Sequence, residues 1–438
     1  MKFTKFGKAL LMGALSAGAV LIVTSCVESY TVGFLYVTGT ATAQSSGSGI
    51  ISGFKIDHNT GKLTPINGLP ISSGGANPGR AALLSGSRFL YVLNRGVNSA
   101  GGSVCTTANP CENSNITEFA VGGNGILTPQ ETFYTQGINP FRIFSDASGA
   151  FLFVLDHDSP SNATCALALG PSAKTCGDVT VFSINSSTGR LQLVVNAQVT
   201  AANGTALTYF PVPANPIDFL LSNGYIFVLS GTPATGDSIF PYTEAANTGQ
   251  LTIGQNASQP LNIAQATAIT SGGGYVYVLD NEPITANGAT SPSQILPFSV
   301  GSGGALLAQT GGIVPDDPTL SNPIYVLVES KGKFLYVANQ GNNTDTTNAQ
   351  SGLAGYVIDP SQHTLSYIAG EPFGTGAGPQ CLVEDPSNQF IYTANFNDST
   401  VTGRVVDPNS GVLNNMRVTN SYSLSGPAAW CLVDGRTD

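Results

Sequence analysis

Charge is what this chain has least of. Among 438 residues there are 16 Lys and Arg, 26 Asp and Glu, 3 His, 3 Met and 1 Trp. Long surface helices draw on Lys, Glu and Met. Their shortage, beside 52 Gly, disfavours a helical architecture and favours strands joined by turns. A formal net charge of −10 excludes attraction to nucleic acid or to an anionic membrane surface. The chain has no Gly-x-Ser-x-Gly elbow, no His-Glu-x-x-His, no P-loop and no dinucleotide fingerprint, which argues against a Ser hydrolase, a zinc protease and a nucleotide enzyme. No cofactor and no metal are expected. The oxygen-rich candidates for Ca²⁺, Asp316-Asp317 and residues 342–345, lack regular ligand spacing.

Long apolar runs are equally scarce. One extends from Ala9 to Val23 behind Lys2, Lys5 and Lys8, the pattern of an export signal and short for a membrane span. It ends in Val23-Thr24-Ser25-Cys26, which resembles the bacterial lipobox, whose Cys carries lipid and opens the mature chain. An ordinary secretory signal with a chance Cys is the alternative. The expected organisation is a lipoprotein signal peptide over 1–25, a short lipid-anchored linker over 26–32 and a single domain over 33–438. The protein is then exported and held in the bacterial cell envelope by lipid alone, as a monomer. The six remaining cysteines suit an oxidising compartment. Cys105 with Cys111, and Cys165 with Cys176, lie close enough in sequence for local pairs.

What the chain does have is a repeat. Phe34-Leu35-Tyr36-Val37 returns as Phe89 to Val92, Phe151 to Val154, Tyr225 to Val228, Tyr275 to Val278, Phe334 to Val337 and Phe390 to Thr393. Aromatic and β-branched runs bounded by Gly, Ser and Asn describe buried strands. Each is followed by an alternating segment such as Val179 to Asn185, then a tight turn such as Asn59-Thr60-Gly61 or Asn247-Thr248-Gly249 and a third short segment. A Pro-initiated segment, as at Asn77-Pro78, Asn139-Pro140, Asn215-Pro216 and Asn322-Pro323, precedes the next aromatic strand. Four strands in each of seven units predict an all-β, seven-bladed β-propeller of antiparallel sheets. The C-terminal segment Pro427 to Gly435 reads as the strand missing from the first blade, so the ring closes through it. A linear solenoid would have no use for that offset.

The aromatic signature, the Thr-Gly-x-Leu-Thr turn (Asn59 to Thr64, Asn247 to Thr252) and the Asp385-Pro386-Ser387 turn resemble the bacterial seven-bladed lactonase-like propellers. These include 6-phosphogluconolactonases, carboxymuconate-type cyclases and YVTN-repeat proteins. The resemblance covers nearly all of the expected mature chain and implies hydrolysis of a small lactone. In that family the inner-strand entrance commonly carries a His, where this chain has Arg142.

The loops from Asn94 to Asn115, Asp156 to Asp178, Asp280 to Gln294 and Asn339 to Gly352 fall on one face, the expected binding face. Arg80, Arg142, Asp218 and Tyr325 are expected at its central funnel, where two arginines would clamp a small anionic or sugar-derived ligand. Alternatively they tie neighbouring blades together. His157, between Asp156 and Asp158 at the mouth of the third blade, is the candidate general base, or an ordinary loop residue, and Arg142 is the other catalytic candidate. His58 and His363 fall in turns and are expected to face solvent. The competing function is a non-catalytic envelope scaffold using this face for a glycan, peptide or protein. Cys381 and Cys431, opening near-identical segments, are expected to meet across the ring seam as a disulfide.

Cys26→Ser should fold normally but leave the membrane fraction, as read by fractionation and by the mass of the N-terminal peptide. Unchanged membrane retention would remove the anchor.

Overall fold

The computed structural model describes residues 30–42, 47–84, 86, 88–231, 236–253, 259–261, 263–286, 289–309, 311–341 and 350–435. The signal segment, Cys26 and residues 342–345 lie outside them. Seven antiparallel sheets succeed one another around a central channel. Blade 2 shows the plan: inner strand Pro78–Leu83, aromatic strand Phe89–Asn94, then Asn115–Val121 and the outer Leu127–Phe133. In five blades a short further segment also pairs with the third strand. Blade 1 takes its inner strand, Ala428–Gly435, from the C-terminus, paired antiparallel with Thr31–Thr40. Helix is confined, among the described residues, to Asn162–Leu169 and one 3-10 turn at Ser302–Gly304.

The repeated motifs are explained by how blades interlock. The Tyr36 hydroxyl donates to Gly125 O of the next blade at 2.8 Å, Tyr336 to Gly411 O at 2.7 Å, and Tyr392 of blade 7 to Gly61 O of blade 1 at 2.7 Å. Tyr91 reaches Gly189 O in the same way. The accepting glycines have φ of 67° to 81°. They also lie flat on the first aromatic ring of the neighbouring strand, so that a Cβ on Gly61 would fall 2.4 Å from Phe390 Cδ1. Both the positive φ and the missing side chain are therefore required. Blade 6 has His363 in place of this glycine, at φ 56°, and its ring packs 4.2 Å from that of Tyr275. His363 is thus half-buried in a blade seam rather than facing solvent, and His58 is likewise half-buried, stacked on Tyr30 at 4.5 Å.

The Asn-Pro pairs have an equally local cause. Asn77, Asn139, Asn215 and Asn322 all sit at φ between 49° and 60°, a left-handed turn that Asn tolerates better than most residues. The Pro that follows opens the inner strand at a position where no N–H is needed. The three disulfides pair as expected: Cys105–Cys111, Cys165–Cys176 and Cys381–Cys431, with Cα separations of 5.2, 5.6 and 5.9 Å. The last joins the inner strands of blades 7 and 1 across the seam.

Tyr392→Phe removes the tie between the last blade and the first and leaves a buried carbonyl unpaired, costing about 1 kcal/mol in chemical denaturation. Gly61→Ala adds left-handed strain to a steric clash and should cost about 2 kcal/mol or more. Wild-type stability in both variants would show that the interlock does not hold the ring.

Candidate functional site

One register position builds the centre of the molecule. The inner-strand residues opposite the fifth residue of each aromatic strand are Trp430, Arg142, Asp218, Ala268, Tyr325 and Cys381. In blade 2 a bulge between Pro78 and Ala81 brings Arg80 to that level. Trp430 stands opposite Thr38, and the register shift that follows, between Thr38 and Gly39, recurs beside this position in the other blades. Four residues expected at the funnel, Arg80, Arg142, Asp218 and Tyr325, thus converge, with Trp430 among them.

Asp218 is fully buried and saturated. Its Oδ2 accepts from Arg80 Nη2 at 2.8 Å and from the Ile269 amide at 3.3 Å; its Oδ1 accepts from Arg142 Nε at 3.1 Å and from the Phe219 amide at 2.9 Å. One carboxylate therefore joins blades 2, 3, 4 and 5. Arg80 lies over the Trp430 ring at 4.6 Å, and Tyr325 meets that ring edge-on at 5.1 Å, which brings in blades 1 and 6. Burial, reinforced by Arg80 and opposed by Asp218, lowers the Arg142 guanidinium to about 10. Burial raises the Tyr325 phenol. The two arginines are not free to clamp a ligand between them, because their shared partner is already internal. They tie blades together, through a carboxylate rather than only through backbone carbonyls, although Arg142 Nη1 also donates to Phe141 O at 3.2 Å.

This layer divides the channel. On the tight-turn side lies a cavity of about 580 Å³ walled by Ile143, Phe144, Phe219 and Leu221 and floored by Arg80, Tyr325 and Trp430. On the long-loop side lies a funnel of about 670 Å³ lined by Arg80, Arg95, Arg142, Thr267, Gln340, Gln380 and Trp430, with Ser103, Val104 and Cys105 at its edge. Arg95 was not singled out by the sequence. It follows the buried Asn94 at the end of the aromatic strand, where its amide donates to Asn77 O at 3.1 Å. Gln340 and Phe396 are held equivalently, by Asn322 O and Gly378 O, and also line the funnel. In blades 2, 6 and 7 the residue after the aromatic strand thus lines the mouth, a position that the repeat alignment itself marks.

The long loops start and finish at paired residues: Asn94 with Asn115, Asp156 with Asp178, Asp280 with Gln294 and Asn339 with Gly352. The first carries the Cys105–Cys111 disulfide, the second the helix and Cys165–Cys176, the third a small hairpin, Ile284–Ala286 with Ala289–Ser291.

His157 is not brought to the funnel. The blade 3 strand continues to Asp158, paired with Ile138, so His157 stays in the ladder and opens on a separate cavity of about 280 Å³. That cavity shares no lining residue with the funnel. His157 Nδ1 lies 3.1 Å from Asp158 Oδ2, while Asp158 also accepts from Asn139 and Thr107. Its other neighbour, Asp156, is fully buried against Asp178, and burial raises both carboxyls. The two catalytic candidates, His157 and Arg142, thus line different cavities. Asp316 and Asp317 are buried structural groups: Asp316 accepts from the Tyr356 hydroxyl at 2.6 Å and Asp317 from the Thr319 amide at 2.7 Å. No cluster of His, Cys, Asp and Glu fit to hold a metal occurs among the described residues.

Comparison with known proteins agrees with this architecture. A 6-phosphogluconolactonase candidate from Bacteroides fragilis superposes with a TM-score of 0.64 at 15% identity, over 92% of this chain and 98% of that one. The periplasmic gluconolactonase of Pseudomonas aeruginosa superposes at 0.63 and 17% identity, over 92% and 99%. A Lactobacillus plantarum protein does so at 0.61 and 17% identity, over 92% and 99%. At these identities the likeness shows the fold alone. No curated protein sequence matches significantly. The sequence profile described as lactonase, 7-bladed beta-propeller, matches residues 47–167 and 307–431, more than half of the chain. With its seven four-stranded blades closed by the C-terminal strand, the chain belongs to the seven-bladed β-propeller lactonase family.

Proposed function

We propose that this protein hydrolyses a small sugar-acid lactone in the long-loop funnel. The observation that carries the reading is the funnel itself: a cavity of about 670 Å³ walled by guanidinium groups in a protein of net charge −10, within a lactonase family. A concave site with few polar groups placed by a rigid scaffold is the ordinary form of a small-molecule site. In lactone opening, water adds to the ring carbonyl carbon and charge gathers on the carbonyl oxygen. The ring C–O bond then breaks, the ring oxygen takes a proton, and a hydroxy acid leaves as its anion.

The funnel suits the charge rather than the proton transfers of this reaction. Asp218 has both oxygens filled, and His157 opens elsewhere. Arg142 is fixed by Asp218 and remains 26% exposed at the funnel. A preorganised cation in a partly desolvated site stabilises a developing oxyanion without reorganising. Export and lipid anchoring through Cys26, a cell-envelope location and a monomeric state form part of the same proposal. Three disulfides support an oxidising compartment. No helix among the described residues is long and apolar enough to cross a membrane.

Purified protein should accelerate the opening of sugar-acid δ-lactones above the buffer rate, followed as acid release in a pH-stat. Arg142→Gln should lower kcat/KM about a hundred-fold. The same variant should melt at a lower temperature, because Asp218 loses one of its two guanidinia, so rates are compared well below that transition. A panel of lactones opened no faster than in buffer, with sugar acids still bound, would replace the enzyme by a binding propeller.

A further inference from the structure

We propose that Arg95 is the specificity-determining residue of the funnel, anchoring the oxyanion, carboxylate or phosphate, of a small polar ligand beneath the disulfide-stapled loop. The inference rests on the funnel being the ligand site. Three guanidinia line the cavity, and Asp218 is the carboxylate that meets two of them. Arg80 and Arg142 are both held by Asp218. Among the described residues no carboxylate pairs with Arg95, and its Nε is buried with no hydrogen-bond partner.

A guanidinium in a protein keeps its proton, so burial does not neutralise it. Burial does lower the Arg95 guanidinium from its ordinary value, with no opposing contribution from an acid. Arg95 and Arg142 line the same cavity, where Arg95 acts on Arg142 as a like charge. A desolvated cation without a counter-charge is costly, and an incoming anion relieves that cost. The funnel is thereby made selective for oxyanions by a charge that the fold leaves uncompensated.

Its backbone is held at two points. The Arg95 amide donates to Asn77 O at 3.1 Å, and the Asn77 side chain donates to Gly96 O at 2.7 Å. Gln340 and Phe396, at the equivalent places in blades 6 and 7, carry no charge. The roof is fixed too. Ser103, Val104 and Cys105 line the same cavity, and the Cys105–Cys111 loop is pinned to blade 3 by Cys111 N to Asn139 Oδ1 at 2.7 Å and Thr107 Oγ1 to Asp158 Oδ1 at 2.8 Å. An oxyanion at Arg95 would sit between this roof and the Arg80–Trp430 floor.

Isothermal titration of the disulfide-intact protein with gluconate and, separately, with inorganic phosphate tests this at low ionic strength. Arg95→Gln should weaken binding about ten- to a hundred-fold without lowering the melting temperature, whereas Arg95→Lys should retain most of it and Arg190→Gln, on the surface, all of it. Gluconate bound in preference to phosphate identifies a carboxylate ligand, and the reverse a phosphorylated one. Equal affinity in wild type and Arg95→Gln overturns the assignment while leaving the funnel intact as a site. Failure of both anions to bind wild type also overturns it; lactone hydrolysis by that same wild type would show that the proposed activity survives separately. Should Arg95→Gln not fold, a salt-insensitive affinity in wild type and Arg95→Lys overturns the proposal equally.

Discussion

The Asp218 carboxylate is the contact on which the centre of this molecule depends. A buried carboxylate is tolerated only where every lone pair finds a donor, and Asp218 finds four from blades 2, 3, 4 and 5. Its position follows from the propeller register, which brings one residue of each inner strand to the same level. Because Asp218 takes Arg80 and Arg142, the Arg80–Trp430–Tyr325 layer becomes a fixed floor across the channel rather than a pair of free cations. The funnel above that floor owes its shape to this internal pairing and its remaining positive charge to Arg95.

Around this centre the blades are held by a second, repeated contact. An aromatic ring on one blade lies against a turn glycine of the next, and where the third residue of the signature is Tyr its hydroxyl also bonds that turn in four of the seams. The signature and the turn are thus two halves of one joint, which is why they recur together. Where the third residue is Phe153 or Phe227 there is no hydroxyl to bond, and Phe151 and Tyr225 keep the packing on Gly249 and Gly304. His363 shows the joint adapting: a ring packs at a tilt against Tyr275 where other blades bring a bare backbone. Rigidity in these seams is what lets long, individually stapled loops stand on one face.

The fold was legible because strand period, turn chemistry and repeat spacing all point the same way. The ring closure and the Cys381–Cys431 bond could be read from the near-identity of two short segments. The convergence of Arg80, Arg142, Asp218 and Tyr325 was legible from their shared spacing to the aromatic strand. Their mutual pairing was not, since spacing gives level but not which charges meet across three blades. His157 was misplaced because its strand continues one ladder step farther than its counterparts, a difference of register that no local pattern announces. Arg95 was overlooked because its place after the aromatic strand recurs in the repeat while its residue type does not. Its meaning comes from the absence of a partner, which only packing reveals.

The long-loop funnel is the proposed site of a small anionic, sugar-derived ligand. A crystal structure of the protein with gluconate bound tests that claim most directly. The ligand is expected above the Arg80–Trp430 floor, with its carboxylate within hydrogen-bonding distance of Arg95 and its body below Val104. Gluconate in the cavity beside His157, or on the tight-turn side of the floor, would contradict the account.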